Sequence, residues 1–282
     1  MEVSMSSTGS KKSSQQPAIV RSDIFCIVIT GASSGLGAAL ARAYSGPGVM
    51  LGLAGRNPTR LAQVADACRQ KGARAETALL DVADPDGVSE WLRRIDAIAP
   101  VNLLIANAGI SAGTRADGSL EGVDAARAVV LTNLLGTIHS VEPLLPRMIG
   151  RGTGQIAVVA SLAAYRGLPD SPAYCASKAG VLAYGESLRG KVEPHGVRVS
   201  VIVPGFFASP MSDRYAGQKL FLLSEEQAVR RVIRGLRRKA RRIVFPRRLA
   251  LLLRIANILP AWLGDRIIRA FRFHIDARPG DR

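Results

Sequence analysis

The sequence predicts an α/β fold in which helices cover both faces of a single doubly wound parallel sheet. Short, almost continuously apolar segments recur at intervals of about 25 residues, and helix-like stretches separate them. Continuous rather than alternating hydrophobicity is typical of strands that are buried on both faces of a parallel sheet. The chain of 282 residues is 48% hydrophobic, so it has enough apolar material for one large domain of this kind.

The apolar segments are the predicted strands, and two helices with clear start signals connect the first of them. The strands are expected at residues 24–30, 49–55, 73–80, 101–109, 155–161 and 197–205. Pro58 lies near the first turn of a helix predicted over 58–72, and Asp84 starts a helix predicted over 85–99.

The regular alternation ends after the sixth predicted strand. Residues 206–223 are predicted to be irregular, and Ser224 is expected to cap a helix over 224–240. Residues 241–246 are predicted to form a last short strand.

Composition divides the chain into three parts. Residues 1–22 are rich in serine and hold little that could pack, so we predict a disordered tail. Residues 23–245 form the predicted α/β catalytic domain. Residues 246–282 are predicted to be a basic, amphipathic helical extension.

The net charge is concentrated in the C-terminal part. The chain carries a formal charge of +16, and residues 230–282 hold sixteen lysines and arginines against three acids. A basic extension on a nearly neutral domain usually indicates an anionic partner. Because aromatic residues make up only 5% of the chain, few platforms exist on which bases could stack, and no nucleic acid is expected.

The cysteines and histidines show no spacing that would bind a metal or build a disulfide framework. They lie far apart along the chain, at Cys26, Cys68, Cys175, His139, His195 and His274. We therefore expect no metal site and a reducing compartment. With no secretory-type apolar segment at the start and no uninterrupted apolar run long enough to span a bilayer, the expected location is the cytoplasm.

A glycine-rich loop, TGASSGLG at 30–37, follows the first predicted strand and leads into a helix. Glycines at such a turn let the backbone approach a pyrophosphate, which then lies on the helix N-terminus. The loop predicts a dinucleotide site of the Rossmann type. The expected contacts are Gly31, Ser33, Ser34, Gly35, Leu36 and Gly37.

The loop spacing, Gly-x3-Gly-x-Gly, resembles the glycine motif of the short-chain dehydrogenase/reductase family. The resemblance extends over residues 24–210 through LDV at 80–82, ANAG at 106–109 in place of the family's NNAG, and PGFFAS at 204–209, where Ser209 replaces the family's Thr. It implies further cofactor contacts from Asp81, Val82, Asn107, Ala108, Gly109, Pro204, Gly205 and Ser209.

The residue after the second predicted strand indicates which dinucleotide is bound. An acidic residue there would accept a hydrogen bond from the ribose 2′-hydroxyl of NAD, but this chain has Gly55 followed by Arg56. A guanidinium can hold a 2′-phosphate through a bidentate contact, and Ser33 could add a hydroxyl. We predict NADP(H) as the cofactor, the alternative being that Arg56 is a surface arginine with no such role.

Tyr174 and Lys178 form a Tyr-x3-Lys pair within a helix predicted over 171–193, so both side chains lie on one face. A free tyrosine has a pKa of about 10 and is a poor catalyst at neutral pH. A nearby ammonium and a cationic nicotinamide would favour the phenolate and lower that pKa.

Two more residues complete the catalytic group that the resemblance implies. Ser161 ends the fifth predicted strand, and Asn133 lies in a helix predicted over 121–149. Tyr174 would transfer the proton, and Ser161 would hydrogen-bond the carbonyl or alkoxide oxygen. Lys178 would hold the nicotinamide ribose and tune Tyr174, while Asn133 would position a relay water; both Tyr174 and Lys178 also count as cofactor contacts.

The basic segment 229–273 combines arginine clusters with leucine, isoleucine, tryptophan and phenylalanine. Such a segment can lie in an anionic membrane interface, which would make the protein peripheral on the cytoplasmic face of a membrane. The alternative is that the segment forms a helical cap on the substrate pocket or an oligomer contact, and a membrane surface is compatible with either. The pocket walls are expected from Phe206, Phe207, Met211 and the extension.

Taken with the resemblance, these residues predict an NADPH-dependent oxidoreductase that interconverts a ketone and a secondary alcohol on a hydrophobic substrate. Candidate substrates are a 3-oxoacyl chain, a sphingoid-type ketone or a steroid-like molecule. The alternatives are a reductase of small soluble carbonyl compounds, and a dinucleotide-binding regulatory protein without turnover. The two long predicted helices suggest a homodimer.

Overall fold

The computed structural model describes residues 24–115, 117–217, 219–268 and 274–275. The predicted tail at 1–22 and most of the chain beyond 268 lie outside the described residues. The strands are β1 (Phe25–Thr30), β2 (Val49–Gly55), β3 (Arg74–Leu79), β4 (Val101–Ala106), β5 (Gly154–Val159), β6 (Val197–Pro204), β7 (Tyr215–Ala216), β8 (Arg242–Phe245) and β9 (His274–Ile275).

Seven of these strands form one parallel sheet in the order β3-β2-β1-β4-β5-β6-β8, which confirms the predicted doubly wound fold. The order reverses between β1 and β4. Ligands of open α/β sheets bind at such a switch point, beyond the carboxyl ends of the strands.

Helices cover both faces of the sheet. They are α1 (Gly35–Tyr44), α2 (Pro58–Gln70), α3 (Pro85–Ile98), α4 (Val123–Val130), α5 (Gly136–Val141), α6 (Leu145–Arg151), α7 (Pro172–Val192), α8 (Pro210–Asp213), α9 (Glu225–Arg237), α10 (Arg247–Ile258) and α11 (Ala261–Ile268). Successive side chains of β1 enter different cores: Ile27 and Ile29 pack with α1, α2 and α9, whereas Cys26 and Val28 face the other layer.

The helix start signals act as predicted. Asp84 caps α3 by accepting hydrogen bonds from the amides of Asp86 and Gly87, and Ser224 forms a capping box with Gln227 at the start of α9. These side chains satisfy amides that have no partner within the helix, so the boundaries are fixed locally.

The helix predicted over 121–149 is interrupted. A π-helical turn, Leu131–Leu135, separates α4 from α5, and a further turn precedes α6. The π turn contains Asn133, whose side chain is hydrogen-bonded to residues outside the helix. Apolar periodicity alone does not reveal such an anchor.

Within the described residues, one helical stretch, Val123–Arg151, is long and apolar enough to cross a membrane by length and composition. Half of its most apolar window is buried inside the protein. It packs against α3, α7 and β4. Its hydrophobicity is therefore that of a core helix.

The C-terminal extension is helical where expected, in α10 and α11, but one part of that prediction is wrong. His274 and Ile275 form β9, which pairs antiparallel with β7 in the segment that was expected to be irregular. A two-residue pairing between distant segments has no periodic signal in either of them, so the sequence pattern could not reveal it.

Candidate active site

A cavity of about 800 Å³ lies at the carboxyl ends of the parallel strands. Its size is within the range of protein sites for cofactors and small molecules. One end is formed by the glycine loop and the ends of β2, β3 and β4. The other end is formed by residues of the 206–215 segment and by α10.

The structure brings nearly all of the sequence-predicted site residues to this cavity. Those that line it are Gly31, Ser33, Ser34, Gly35, Leu36, Arg56, Asp81, Val82, Asn107, Ala108, Gly109, Ser161, Tyr174, Lys178, Pro204, Gly205 and Ser209. Gly37 and Asn133 are the two predicted residues that do not line it.

Close backbone contact explains two of the glycines. A Cβ on Gly31, which has a φ of +66°, would lie 2.7 Å from Cα of Ala108, and a Cβ on Gly37 would lie 2.4 Å from the carbonyl oxygen of Gly31. Gly37 therefore acts beneath the loop, by letting α1 approach the end of β1, rather than as a cavity residue.

The N-terminus of α1 fits a dinucleotide pyrophosphate. Ser34 occupies the capping position, but its side chain accepts no hydrogen bond from the helix. The first-turn amides of α1 therefore lack a side-chain cap, and Gly35 and Leu36 line the cavity there. An anion can accept hydrogen bonds from these amides and is favoured by the helix dipole.

Hydrogen bonds between Thr30 and Asn107 hold the glycine loop in place. Asn107 was predicted as a site residue, and Thr30 was not. The Asn107 amide group donates to the carbonyl oxygens of Thr30 and Gly31, at 3.0 and 3.3 Å. The Thr30 hydroxyl accepts from the amides of Asn107 and Ala108, at 3.1 and 3.2 Å. Thr30 is buried, and its place at the end of β1 beside the loop was the available signal.

Two arginines reach the end of the cavity beyond β2. Arg56 Nη1 lies 3.2 Å from Oδ2 of Asp81, and both side chains are about half exposed. Arg60, four residues later on α2, also lines the cavity and was not predicted. A Cβ on Gly55 would lie 3.1 Å from Oγ of Ser33, so glycine at 55 lets Ser33 sit beside Arg56. The result is a polar end with two guanidiniums and a hydroxyl.

The catalytic candidates meet where the two ends of the cavity join. Lys178 Nζ lies 5.9 Å from the centre of the Tyr174 ring, as expected for residues one helical turn apart. Ser161 lies two residues beyond the end of β5, and its interaction with the Tyr174 phenol lowers the pKa of that phenol. The Ser161 hydroxyl also accepts a hydrogen bond from the Ala163 amide at 3.2 Å, which fixes its orientation.

The electrostatics of Tyr174 differ from the sequence-based expectation. Burial raises the pKa of the phenol above its usual value, the neighbouring Tyr215 raises it further, and the hydrogen bond with Ser161 lowers it only in part. In the protein without cofactor the pKa is therefore raised, whereas the expectation of a lowered pKa concerned Lys178 together with a cationic nicotinamide. The reason is that burial disfavours the phenolate more than its neighbours favour it. A neutral phenol is the form that can donate a proton.

Lys178 is buried and anchored by the backbone. Its Nζ donates a hydrogen bond to the carbonyl oxygen of Val159 at 2.8 Å, and burial lowers its pKa to about 8. Most of the ammonium is thus still charged at neutral pH. One of its three protons is used by Val159, so others remain for a ribose hydroxyl.

Asn133 does not face the cavity. It is fully buried, its Oδ1 accepts from the Ile110 amide at 2.8 Å, and its Nδ2 donates to the Ile110 carbonyl oxygen and to Ser177 Oγ. These bonds join the π turn to the segment after β4 and to α7. The side chain thus has both amide protons in use within the protein.

The substrate end of the cavity is largely apolar. Phe206, Phe207 and Met211 line it as predicted, together with Leu249 and Leu253 of α10. The expectation that the extension caps the pocket is therefore met by these two leucines. Tyr215, which packs edge-on against Phe206 with ring centres 5.5 Å apart, also lines this end and was missed, because nothing in an irregular segment singles it out.

Polar contacts tie α10 and α11 to the segment after Ser161. The Arg254 guanidinium donates to the Tyr165 hydroxyl at 3.0 Å and lies 4.4 Å from the centre of that ring. Arg166 forms an ion pair with Asp265 on α11. These contacts fix the extension against the loop that carries the serine.

The cysteines contribute packing. Cys26, Cys68 and Cys175 are buried free thiols. Cys175 accepts a hydrogen bond from the Leu168 amide at 3.2 Å, and burial raises its pKa. A thiol with a raised pKa is a poor nucleophile, so its place beside Tyr174 is structural.

Comparison with known proteins agrees with this geometry. Residues 26–219 match the family model described as short chain dehydrogenase. An uncharacterized oxidoreductase of Myxococcus xanthus is 36% identical over 87% of this chain and 96% of its own length. The ketoacyl reductase HetN of Nostoc is 31% identical over 87% of this chain and 88% of its own length.

A solved structure supports the fold. A short chain dehydrogenase/reductase from Burkholderia phymatum, in complex with NAD, aligns with a TM-score of 0.73 at 24% identity, covering 83% of this chain and 93% of that one. Together with the family match, these likenesses show that the chain belongs to the short-chain dehydrogenase family of oxidoreductases, which interconvert alcohols and carbonyl compounds with NAD(P).

Proposed function

We propose that this protein is an NADPH-dependent reductase of ketones on hydrophobic, lipid-like substrates. The observation that carries the proposal is the arrangement of the cavity, where a neutral tyrosine lies between a basic, polar end and an apolar end. The name of one relative, a ketoacyl reductase, supports a substrate with an acyl chain.

The polar end supports NADP(H) over NAD(H). Arg56 and Arg60 line it, and Ser33 adds a hydroxyl beside them. The ion pair between Arg56 and Asp81 is half exposed, and such pairs contribute little, so Arg56 can turn to a phosphate without a large cost. The guanidinium would then make the charge-assisted contact that a 2′-phosphate favours.

The chain's own residues supply binding, orientation and the proton. Hydride transfer is the chemistry that a nicotinamide cofactor would supply when bound. The α1 N-terminus would bind its pyrophosphate, and Lys178, held by Val159, would donate a hydrogen bond to its ribose. Ser161 donates a hydrogen bond to the substrate oxygen, and the Tyr174 phenol gives that oxygen its proton.

The raised pKa of Tyr174 keeps the phenol in the form that ketone reduction requires. A buried phenol remains protonated at neutral pH and is ready to act as an acid, whereas alcohol oxidation needs the phenolate that burial disfavours. Lys178 still carries most of its charge at that pH, since its pKa is about 8, and it stabilises the phenolate once the proton has left.

The test is a panel of ketones of increasing chain length, assayed with NADPH and with NADH. We expect kcat/KM to rise with chain length and to be higher with NADPH. A preference for short, water-soluble ketones would instead favour the reductase of small carbonyl compounds. Tight nucleotide binding without turnover of any ketone would favour a regulatory dinucleotide-binding protein.

A further inference from the structure

The two C-terminal helices α10 and α11 expose an apolar stripe that no described part of the chain covers. The spacing of its residues places them on one side of α10 and on the start of α11. More than a third of the surface of each residue is exposed. They are Leu251, Leu252, Ile255, Ile258 and Trp262, here called the outer face. Ile258 and Trp262 are 84% and 72% exposed. An apolar stripe of this length on a helix usually marks an interaction surface.

The opposite side of the same helix belongs to the active site. Leu249 and Leu253 are buried and line the substrate end of the cavity. Helix α10 is thus a wall of one helix diameter between the outer face and the cavity. The bond from Arg254 to Tyr165 and the ion pair of Arg166 with Asp265 hold this wall against the loop after Ser161.

On α10 and α11, the exposed charges beside the outer face are mainly positive. Arg248 precedes Leu251 and Leu252 by three and four residues, so it extends the same stripe at its N-terminal end, and Arg266 follows Trp262 by four. Both arginines are exposed. Residues 241–264 contain no acidic residue, and the carboxylate of Asp265 is paired with Arg166.

We propose that the outer face of α10 and α11 docks on the surface of a lipid bilayer with anionic headgroups. The leucines, isoleucines and Trp262 would enter the boundary between headgroups and acyl chains, with Arg248 and Arg266 at the headgroups. Tryptophan favours that boundary because its ring is apolar and its N–H is polar. An apolar surface bordered by arginines matches such a bilayer better than a second copy of the same surface, whose arginines would repel.

Docking in this way places the substrate end of the cavity one helix away from the bilayer. The side of the cavity that binds the substrate would then face the source of a lipid-like ketone. This consequence rests on the proposed function, whereas the docking itself does not.

The experiment is co-sedimentation of the full chain with vesicles, in the absence of any substrate. Vesicles of equal parts phosphatidylcholine and phosphatidylglycerol should pellet the protein, and vesicles of phosphatidylcholine alone should pellet much less. Salt at 1 M should weaken the binding, because it shortens the Debye length to about 3 Å. No pelleting with the anionic vesicles, or equal pelleting with both kinds, would overturn the proposal.

Two variants test the surface, each with a matched control. Ile258→Ser/Trp262→Ser should lower the vesicle partition coefficient at least about 10-fold, because both side chains would enter the interface. Leu120→Ser/Val123→Ser, an equally exposed apolar pair away from the cavity, should leave it unchanged. Arg248→Ala/Arg266→Ala should lower the partition coefficient about 30-fold, because each basic residue near an anionic surface contributes about 1 kcal/mol. The control Arg93→Ala/Arg94→Ala, an exposed pair of arginines on α3, should lower it much less.

Equal losses of vesicle binding for a surface variant and its control would contradict the proposal. The proposal would also be contradicted if the protein were a dimer, and Ile258→Ser/Trp262→Ser dissociated that dimer but left vesicle binding unchanged. The same variants should reduce a water-soluble ketone with NADPH at the unchanged rate when no vesicles are present. Failure of the wild-type protein to reduce any ketone of the chain-length panel would count against the proposed function and leave the docking result standing.

Discussion

The two ends of the active-site cavity are built in different ways. The cofactor end depends on backbone and short polar side chains close to strand ends, namely the α1 amides, the glycine contacts and the clamp of Thr30 and Asn107. The substrate end is made of side chains from distant parts of the chain, such as Phe206 and Leu253. The cofactor end can be recognised in the sequence by motifs of fixed spacing. The substrate end can be recognised only by the apolar character of its residues. Changes at the junction of the two ends should affect every substrate, and changes at either end should affect only what binds there.

The largest effect is expected at the junction. Tyr174→Phe removes the proton donor while keeping the ring, so kcat/KM should fall about 10²–10⁴-fold for every ketone. NADPH affinity, measured by titration calorimetry, should change little. Tyr184→Phe is the matched control, because Tyr184 lies on the same helix but bonds Glu142 and does not line the cavity. A loss that varied strongly with the substrate would contradict the separation of roles.

A smaller effect, confined to the cofactor end, is expected from Arg56→Ala. Loss of a charge-assisted hydrogen bond should raise the KM for NADPH about 10–100-fold and leave the KM for NADH unchanged. Arg93→Ala, an exposed arginine of α3 outside the cavity, serves as the control. Equal changes with both nucleotides would show that Arg56 does not read the 2′-phosphate.

A pH profile separates the lysine from the tyrosine. The pKa of Lys178 is lowered to about 8, so the ammonium loses its charge as the pH rises through that value, while the Tyr174 phenol stays protonated because its pKa is raised. Ketone reduction should therefore decrease about 10-fold at one pH unit above 8. In Lys178→Arg the side chain keeps its positive charge above pH 8. The activity of this variant, however low, should therefore change little with pH in that range. An unchanged alkaline decrease in that variant would assign the titration to another group.

The sequence predicted most of the residues that line the cavity beside the glycine loop, because they belong to short motifs in the chain. The glycine spacing and the Tyr-x3-Lys pair are set within one turn or one helix. What it missed depends on tertiary contact. The raised pKa of Tyr174 comes from burial, the π turn from bonds of Asn133 to Ile110 and Ser177, and β9 from pairing with β7. None of these has a local pattern.

The smallest effect should appear at the substrate end, and it tests whether α10 shapes specificity. Leu253 is buried and lines the cavity, whereas Leu251, two residues earlier, points outward and is 61% exposed. Leu253→Ala should lower the ratio of kcat/KM for a long-chain ketone to kcat/KM for a short-chain ketone. The decrease should be about 4-fold for each substrate methylene that no longer packs against the cavity wall, because burying one CH₂ contributes about 0.8 kcal/mol. Turnover of the short ketone reports on any general damage to the fold, and Leu251→Ala should leave the ratio unchanged in vesicle-free buffer. If the two variants altered the ratio equally, α10 would act on specificity through the stability of the extension rather than through the cavity wall.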